Sequence, residues 1–168
     1  NPLFVLDEID KVGKDFHGDP ASALLEVLDP EQNHAFYDNY VEMEYDLSRV
    51  MFVATANSLS TIHPALRDRM EIIEVNGYTL EEKIQIAIRH LLPKQLKDSG
   101  IKAKQFKLGD GLLEAIVENY TDESGVRTLE KRIAKLVRYR AKQIGLKEKF
   151  NVTIGVPDLV KIFGPSHA

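Results

Sequence analysis

"NPLFVLDEID", residues 1–10, places four apolar side chains, Leu3 to Leu6, directly before two carboxylates, Asp7 and Glu8. A short apolar run bounded by polar residues is typical of a strand that is buried on both faces. In parallel α/β sheets, ligands bind beyond the carboxyl ends of the strands, so side chains that follow a strand face a site and not a core. The stretch therefore predicts an α/β fold with both carboxylates at a binding site.

The composition excludes several classes of protein. The 168 residues are 43% hydrophobic, which suffices for one ordinary domain or two small ones. No apolar run approaches the roughly 20 residues that cross a bilayer, and the N-terminus lacks a signal-type pattern. The absence of cysteine excludes disulfides and a cysteine nucleophile, and the five histidines are too scattered for an i, i+4 metal pair. We expect a globular protein in a water-filled compartment.

The charge is distributed unevenly along the chain. The net charge is -4, but residues 1–76 carry -10 and residues 77–168 carry +6. Strand-type runs end near Asn76, and Thr79 with Glu82 forms a capping-box pattern that opens a helix. We therefore place a domain boundary after Asn76, with an α/β part at 1–76 and a helical part at 77–168.

Apolar patterning predicts the elements of both parts. In the first part we expect further buried strands at 50–56 and 72–75, a helix from Pro20 to Leu28 capped by Asp19, and a half-exposed strand over 40–47 at an edge or in a hairpin. In the second part we expect helices over 80–92, 112–120, 125–144 and 158–163, with a short strand at 151–154 and a kink or stop at Pro93.

An apolar strand ending in Asp-Glu has the Walker B arrangement of P-loop nucleotide hydrolases. There the first carboxylate holds Mg²⁺ and the second activates the attacking water. The plain alternative is a strand that runs into a solvated loop. The next strand, "VMFVATAN", ends in Asn57, which could orient that water or simply begin a turn.

Two arginines, Arg67 and Arg69, precede the run at 72–75. The planar guanidinium suits stabilisation of a transferring phosphoryl group, although surface arginines are common. The order of carboxylates, asparagine, arginine, strand and helical bundle is far more specific than any one of these residues.

Five stretches of the chain are specific enough to suggest a family: "DEIDKVGKDFHGDPASALLEVLDPEQNHAFYDNYVE", "ATANS", "LRDRMEIIEVNGYT", "HLLPKQL" and "ESGVRTLEKRIAKLVR". Together they resemble the Lon proteases, an AAA+ family of ATP-dependent serine proteases. The resemblance implies the C-terminal part of a large AAA+ α/β subdomain with parallel strands, followed by the small α-helical subdomain.

The resemblance also assigns roles to matching positions. Asp7 corresponds to the Mg²⁺-binding Walker B aspartate, Glu8 to the catalytic glutamate and Asn57 to sensor 1. Arg69, with Arg67 as a less certain alternative, corresponds to the arginine finger that reaches a neighbouring subunit's nucleotide. Arg127 in "SGVR" corresponds to the sensor 2 arginine.

The position of Arg127 in the first turn of a predicted helix also indicates a nearby negative group, independently of the resemblance. A cation in the first turn of a helix is disfavoured by the helix dipole unless something negative lies close by. A phosphate would serve, and so would Asp122 or Glu123.

In the loop at 12–18, Phe16 and His17 are expected to touch a polypeptide substrate threaded through a central channel.

The implied parent protein is a hexameric ring that binds ATP and Mg²⁺ and unfolds and degrades misfolded or regulatory proteins. A bacterial cytoplasm is expected, with the mitochondrial matrix as the alternative. The sequence contains neither a G-x-x-x-x-G-K-[ST] phosphate loop nor a Ser-Lys protease motif. We therefore expect the chain to begin within a domain and to be inactive alone.

Two other functions are also compatible with the sequence. The basic helix over 127–142 could bind nucleic acid, as in a clamp-loader or helicase-like AAA+ module, and Lon-type proteases can also contact DNA. Such binding would weaken steeply with salt. A free-standing adaptor that keeps the small subdomain for docking is the third possibility, and it predicts that the chain is complete.

Overall fold

The fold is taken from a computed structural model that describes residues 1–12 and 19–166. The described residues form two compact units, one over residues 1–74 and one from Val75 onward. Within the described ranges, no helix is long and apolar enough to cross a membrane.

The first unit contains strands and helices in alternation. Its strands are β1 (Leu3–Leu6), β2 (Phe36–Asp38), β3 (Met43–Tyr45) and β4 (Met51–Ala54), and its helices are α1 (Pro20–Leu28) and α2 (Pro64–Arg67). β1 and β4 pair in parallel, with Leu3 opposite Met51 and Leu6 opposite Ala54. β2 and β3 form an antiparallel hairpin. The parallel pair and the helices agree with the predicted α/β class.

Helix α1 begins as its sequence predicts. The Asp19 side chain accepts a hydrogen bond from the backbone N–H of Ala21, and Pro20 occupies the first helical position. Leu24, Leu25 and Leu28 pack against a small core of Ile9, Ile62 and Leu66. Ile9 belongs to the turn that follows β1, so this core anchors that turn.

Two expectations for the first unit are wrong. The β1 and β4 strands are not buried on both faces, because Leu3, Val5 and Met51 are 58%, 60% and 67% exposed. A strand is buried on both faces only when layers cover both sides, and here two strands pair with each other alone. The run at 72–75 is not a strand, since no neighbouring backbone pairs with it among the described residues.

The second unit is mainly helical. Its helices are α3 (Leu80–Ile86), α4 (Leu92–Asp98), α5 (Leu112–Tyr120), α6 (Arg127–Gly145) and α7 (Asp158–Phe163), and β5 (Lys107–Leu108) pairs in parallel with β6 (Thr153–Ile154). The capping box is confirmed, because Thr79 accepts from the Glu82 backbone while the Glu82 carboxylate accepts from the Thr79 backbone.

The helical path continues through Pro93, where a stop or kink was expected. A wider π-helical turn over Ala87–Leu91 joins α3 to α4, and the N–H of Leu92 donates to the carbonyl of Ala87. Proline removes a helical donor and crowds the preceding turn, and the wider turn is the local feature that accommodates it.

One large hydrophobic core holds the second unit together. α6 supplies Leu129, Ile133, Leu136 and Val137, all at most 1% exposed, at the spacing of a single helix face. α5, α7 and β6 pack residues against this face, including Leu112, Ile116, Leu159 and Ile154.

Candidate functional site

The candidate site lies where β1 and β4 end. Because the two strands run in parallel, their carboxyl ends lie at the same edge, which brings Asp7 beside Thr55. The Thr55 hydroxyl donates to Asp7 Oδ1 and accepts from the backbone N–H of Glu8 at 2.9 Å. The Ile9 N–H donates to the Thr55 carbonyl at 3.0 Å. These three hydrogen bonds fix the direction in which the acidic pair leaves the strand.

Asp7 fits a Mg²⁺ ligand by its chemistry. Its side chain is exposed and its Oδ1 is oriented by Thr55, while Oδ2 has no recorded partner in the described ranges. Mg²⁺ keeps several waters and is often held by one or two carboxylates together with substrate phosphates. No group of three or more metal-ligating side chains occurs among residues 1–12 and 19–166, so a complete protein cage is not formed there.

Glu8 adopts an uncommon backbone conformation. Its φ is 56° and its ψ is 47°, which is the left-handed region that non-glycine residues rarely occupy. Such a conformation costs of order 1–3 kcal/mol and is concentrated at functional sites. The Glu8 Oε2 pairs with Lys11 Nζ at 2.7 Å, and this bond raises the pKa of Lys11. Both side chains are exposed, so the pair is open to exchange with another partner.

Asn57 and Arg67 have less defined surroundings. Asn57 is exposed and lies three residues beyond the carboxyl end of β4. Arg67 is half-buried at the end of α2, and no hydrogen bond or ion pair of its guanidinium is recorded with the described residues.

Arg69 is held by two groups of its own unit. Its Nη2 lies 3.3 Å from Asp29 Oδ2, and its Nη1 donates to the Ala65 carbonyl at 3.1 Å. Asp29 ends α1 and is buried. The backbone N–H of Glu31 and then the Arg69 guanidinium outweigh burial and lower the pKa of the Asp29 carboxyl.

Arg127 stands at the start of α6 in the second unit. The carboxylate of Glu123, and not the guanidinium of Arg127, occupies this helix end, because it accepts from the N–H groups of Thr128 at 2.6 Å and Leu129 at 2.8 Å. Burial opposes ionisation of Glu123, but these two bonds prevail and its pKa is lowered. Arg127 is exposed, and neither Asp122 nor Glu123 forms a recorded ion pair with it. Its side chain remains accessible to an anion.

The basic helix does not present all its cations to solvent. Arg140 is 2% exposed, donates to the carbonyls of Gln105, Asn151 and Val152, and lies over the Phe150 ring. Arg132 donates to the Tyr120 carbonyl and lies over Phe163. Arg140 is therefore unavailable to the nucleic-acid surface that was considered for the basic helix over 127–142.

Two residues of the site were missed in the sequence. Thr55 is detectable only through the pairing of β1 and β4, because it follows Ala54 as Asp7 follows Leu6, the partner of Ala54. In the sequence, Asp29 is recognisable only as the residue that ends a helix before Pro30. Its contact with Arg69 joins two residues that are 40 positions apart in the chain. Phe16 and His17 lie outside the described residues, so their role stays a prediction.

Comparison with known proteins identifies the two parts of the chain. Residues 1–78 match a family model described as "ATPase family associated with various cellular activities (AAA)", and residues 97–152 match that of the "Lon protease AAA+ ATPase lid domain". The match to an ATPase family implies nucleotide binding.

Two named relatives are similar in sequence to this chain over nearly its whole length. The Lon protease of Karelsulcia muelleri is 59% identical over 98% of this chain and 19% of its own length. That of Flavobacterium johnsoniae is 57% identical over 98% of this chain and 20% of its own length. A solved structure, the Lon protease SSD domain of Bacillus subtilis, is 38% identical, with a TM-score of 0.45, over 55% of this chain and 97% of that chain. This chain spans about a fifth of the length of the first two relatives, and it belongs to the Lon protease family.

Proposed function

We propose that this chain supplies one side of the ATP-hydrolysis site in a longer, ATP-dependent serine protease that unfolds and degrades misfolded or regulatory proteins. The observation that carries the proposal is the edge at β1 and β4. There the Thr55 hydroxyl orients Asp7, and Glu8 leaves the strand in a left-handed conformation. An exposed acidic pair anchored in this way suits a charged ligand better than a core.

Asp7 would hold Mg²⁺, which when bound neutralises charge on the ATP phosphates. Glu8 would accept a proton from the attacking water. Its present partner, Lys11, forms an exposed ion pair, and solvent screening makes such pairs weak. Little free energy is therefore needed to release Glu8 for its role.

Three further residues complete the proposed site. Asn57 would orient the attacking water from the end of β4. Arg69 would act as the finger on the nucleotide of a neighbouring subunit, with Arg67 as the alternative. Arg127 would touch the nucleotide from the second unit, which is supported by its exposed position at a helix end already neutralised by Glu123.

The protein would act as a hexameric ring in the bacterial cytoplasm on unfolded polypeptides. The names of the relatives support a protease, and the opposite charges of the two parts, -10 and +6, suit contacts between neighbouring subunits. At physiological salt such attraction acts over about 8 Å, so it requires closely apposed patches.

The test uses the full-length protein with Glu8→Gln. The amide cannot take the water's proton, so ATP hydrolysis should fall by about 10²- to 10⁴-fold, while binding of Mg²⁺ and ATP persists. Glu31→Gln is the matched control, because Glu31 is an exposed carboxylate and its side chain forms no recorded bond in the described ranges. Near-normal turnover in Glu8→Gln would remove Glu8 from its role.

A second experiment tests the finger. Arg69→Ala subunits are mixed with Glu8→Gln subunits, each inactive alone. Activity should return only where an intact Glu8 faces an intact Arg69 of the neighbour. No recovery at any mixing ratio contradicts an arginine acting between subunits.

A further inference from the structure

The buried carboxylate of Asp29 has a role beyond ending α1. Asp29 is 7% exposed. Each of its carboxylate oxygens accepts a hydrogen bond from a nearby residue. Oδ1 accepts from the backbone N–H of Glu31 at 3.1 Å, and Oδ2 accepts from Gln32 Nε2 at 3.1 Å. The backbone N–H of Asp29 itself donates to the Leu25 carbonyl at 2.9 Å. The carboxylate is thus set in one orientation by groups next to it in the chain.

Arg69 meets this carboxylate from the end of α2. One terminal nitrogen pairs with Asp29 at 3.3 Å and the other donates to the Ala65 carbonyl at 3.1 Å. A guanidinium has five N–H donors. No other bond of this guanidinium is recorded with residues 1–12 and 19–166, and its side chain is 38% exposed against 10% for Asp29. The head group is fixed on one side and open on the other.

We propose that Asp29 is a positioning residue that holds the Arg69 guanidinium ready for the phosphate of a neighbouring subunit. This rests on the proposed function of Arg69. A long, flexible side chain loses rotamer entropy when it is ordered. Holding it in place before the nucleotide arrives removes this cost from the reaction, which is how preorganised groups stabilise a transition state.

The open donors explain how one arginine can serve both partners. The bond to Asp29 is held through Nη2, and the guanidinium retains N–H groups with no recorded partner in the described residues. Those groups can donate to phosphate oxygens without releasing the carboxylate. Asp29 therefore directs the guanidinium and does not compete with the nucleotide for it.

The experiment uses the full-length protein with Asp29→Asn. The amide keeps an acceptor for the Glu31 N–H but loses the charge that holds Arg69. We expect kcat for ATP hydrolysis to fall by about 10- to 100-fold with KM changed less than threefold, as for other supporting groups of an active site. Glu26→Gln is the matched control, because Glu26 is an exposed carboxylate on α1 and its side chain bonds to none of the described residues.

Two readouts separate positioning from a purely structural role. Asp29→Asn added to Arg69→Ala should lower kcat no further, whereas a structural defect would add to it. Mixed with Glu8→Gln subunits, Asp29→Asn subunits should regain activity as Arg69→Ala subunits do. A wild-type kcat, an additive loss or no recovery on mixing would each overturn the proposal.

Asp29→Glu keeps the test decisive if Asp29→Asn fails to assemble. It retains the charge but shifts the carboxylate by one methylene, so kcat should fall, by less than in Asp29→Asn. An unchanged kcat in Asp29→Glu would overturn the proposal. Normal hydrolysis by Arg69→Ala would overturn both this proposal and the finger role, whereas an inactive Arg69→Ala with a fully active Asp29→Asn overturns the positioning role alone.

Discussion

The two units of this chain differ in how they bury hydrophobic side chains. The second unit buries fifteen hydrophobic residues in one cluster, and α6 runs through its middle. Among the described residues of the first unit, three hydrophobic side chains are buried, Ile9, Ile62 and Leu66, and the parallel strands are largely exposed. A pair of strands is marginally stable without further strands or a covering layer. The comparison indicates that the second unit is stabilised by its own contacts, and we infer that the first needs covering contacts that the described residues do not supply.

The proposed chemistry lies mainly in the weakly buried unit. Asp7, Glu8, Asn57 and Arg69 all belong to it, and each is exposed. Arg127 is the exception, and it sits on the best-packed helix of the second unit. The proposed acidic edge thus lies on weakly buried strands, whereas Arg127 begins a helix that packs into the main hydrophobic core.

The largest expected effect is a contrast between two leucines. Leu129→Ala should lower the free energy of unfolding of the second unit by about 2–5 kcal/mol, because Leu129 is 0% exposed and its loss leaves a cavity. Leu3→Ala should change the stability of the 168-residue chain by less than about 1 kcal/mol, because Leu3 is 58% exposed. Urea unfolding followed by circular dichroism measures both. Equal losses of unfolding free energy in the two variants would contradict the difference in burial between the two units.

A smaller effect is expected at Arg140. Arg140→Ala should destabilise the second unit by about 2–3 kcal/mol, since three backbone carbonyls lose a charged donor. Arg138→Ala is the control, because Arg138 is exposed on the same helix. Thermal unfolding compares them, and a similar midpoint for both variants contradicts a structural role for Arg140.

The smallest effect concerns the pH dependence of the second unit. Glu123 has a lowered pKa in the folded state, so its contribution is present above the ordinary Glu pKa of about 4.3 and is lost as the pH falls through the folded value. Glu123→Ala should cost about 1 kcal/mol at pH 7, as for other helix caps, and should cost less at pH 3. A loss independent of pH would contradict capping by the carboxylate.

Local patterns accounted for much of the fold. The Thr79–Glu82 capping box, the Asp19 cap and the single apolar face of α6 are properties of neighbouring residues, and all were predicted. The run at 72–75 failed as a strand because strands require partners, and Ile73 and Val75 are 80% and 92% exposed. The boundary after Asn76 and the assigned roles of the site residues stay predictions.

The site was harder to read, because its supporting contacts are long-range. Asp7 and Glu8 stand out next to an apolar run, but Thr55 reaches Asp7 across 48 residues. The pairing of Asp29 with Arg69 likewise depends on how α1 and the end of α2 pack together. No periodicity within either segment encodes these contacts.

The most direct test of the account is amide hydrogen exchange on the full-length Glu8→Gln protein with and without Mg²⁺ and ATP, alongside the isolated 168-residue chain. We expect α5 and α6 to be protected equally in both proteins. The amides of β1 and β4 should be protected only in the full-length protein, with added protection at residues 7–9 and 55–57 when nucleotide is bound. Equal protection of β1 in both proteins, with no effect of nucleotide at these residues, would contradict the account.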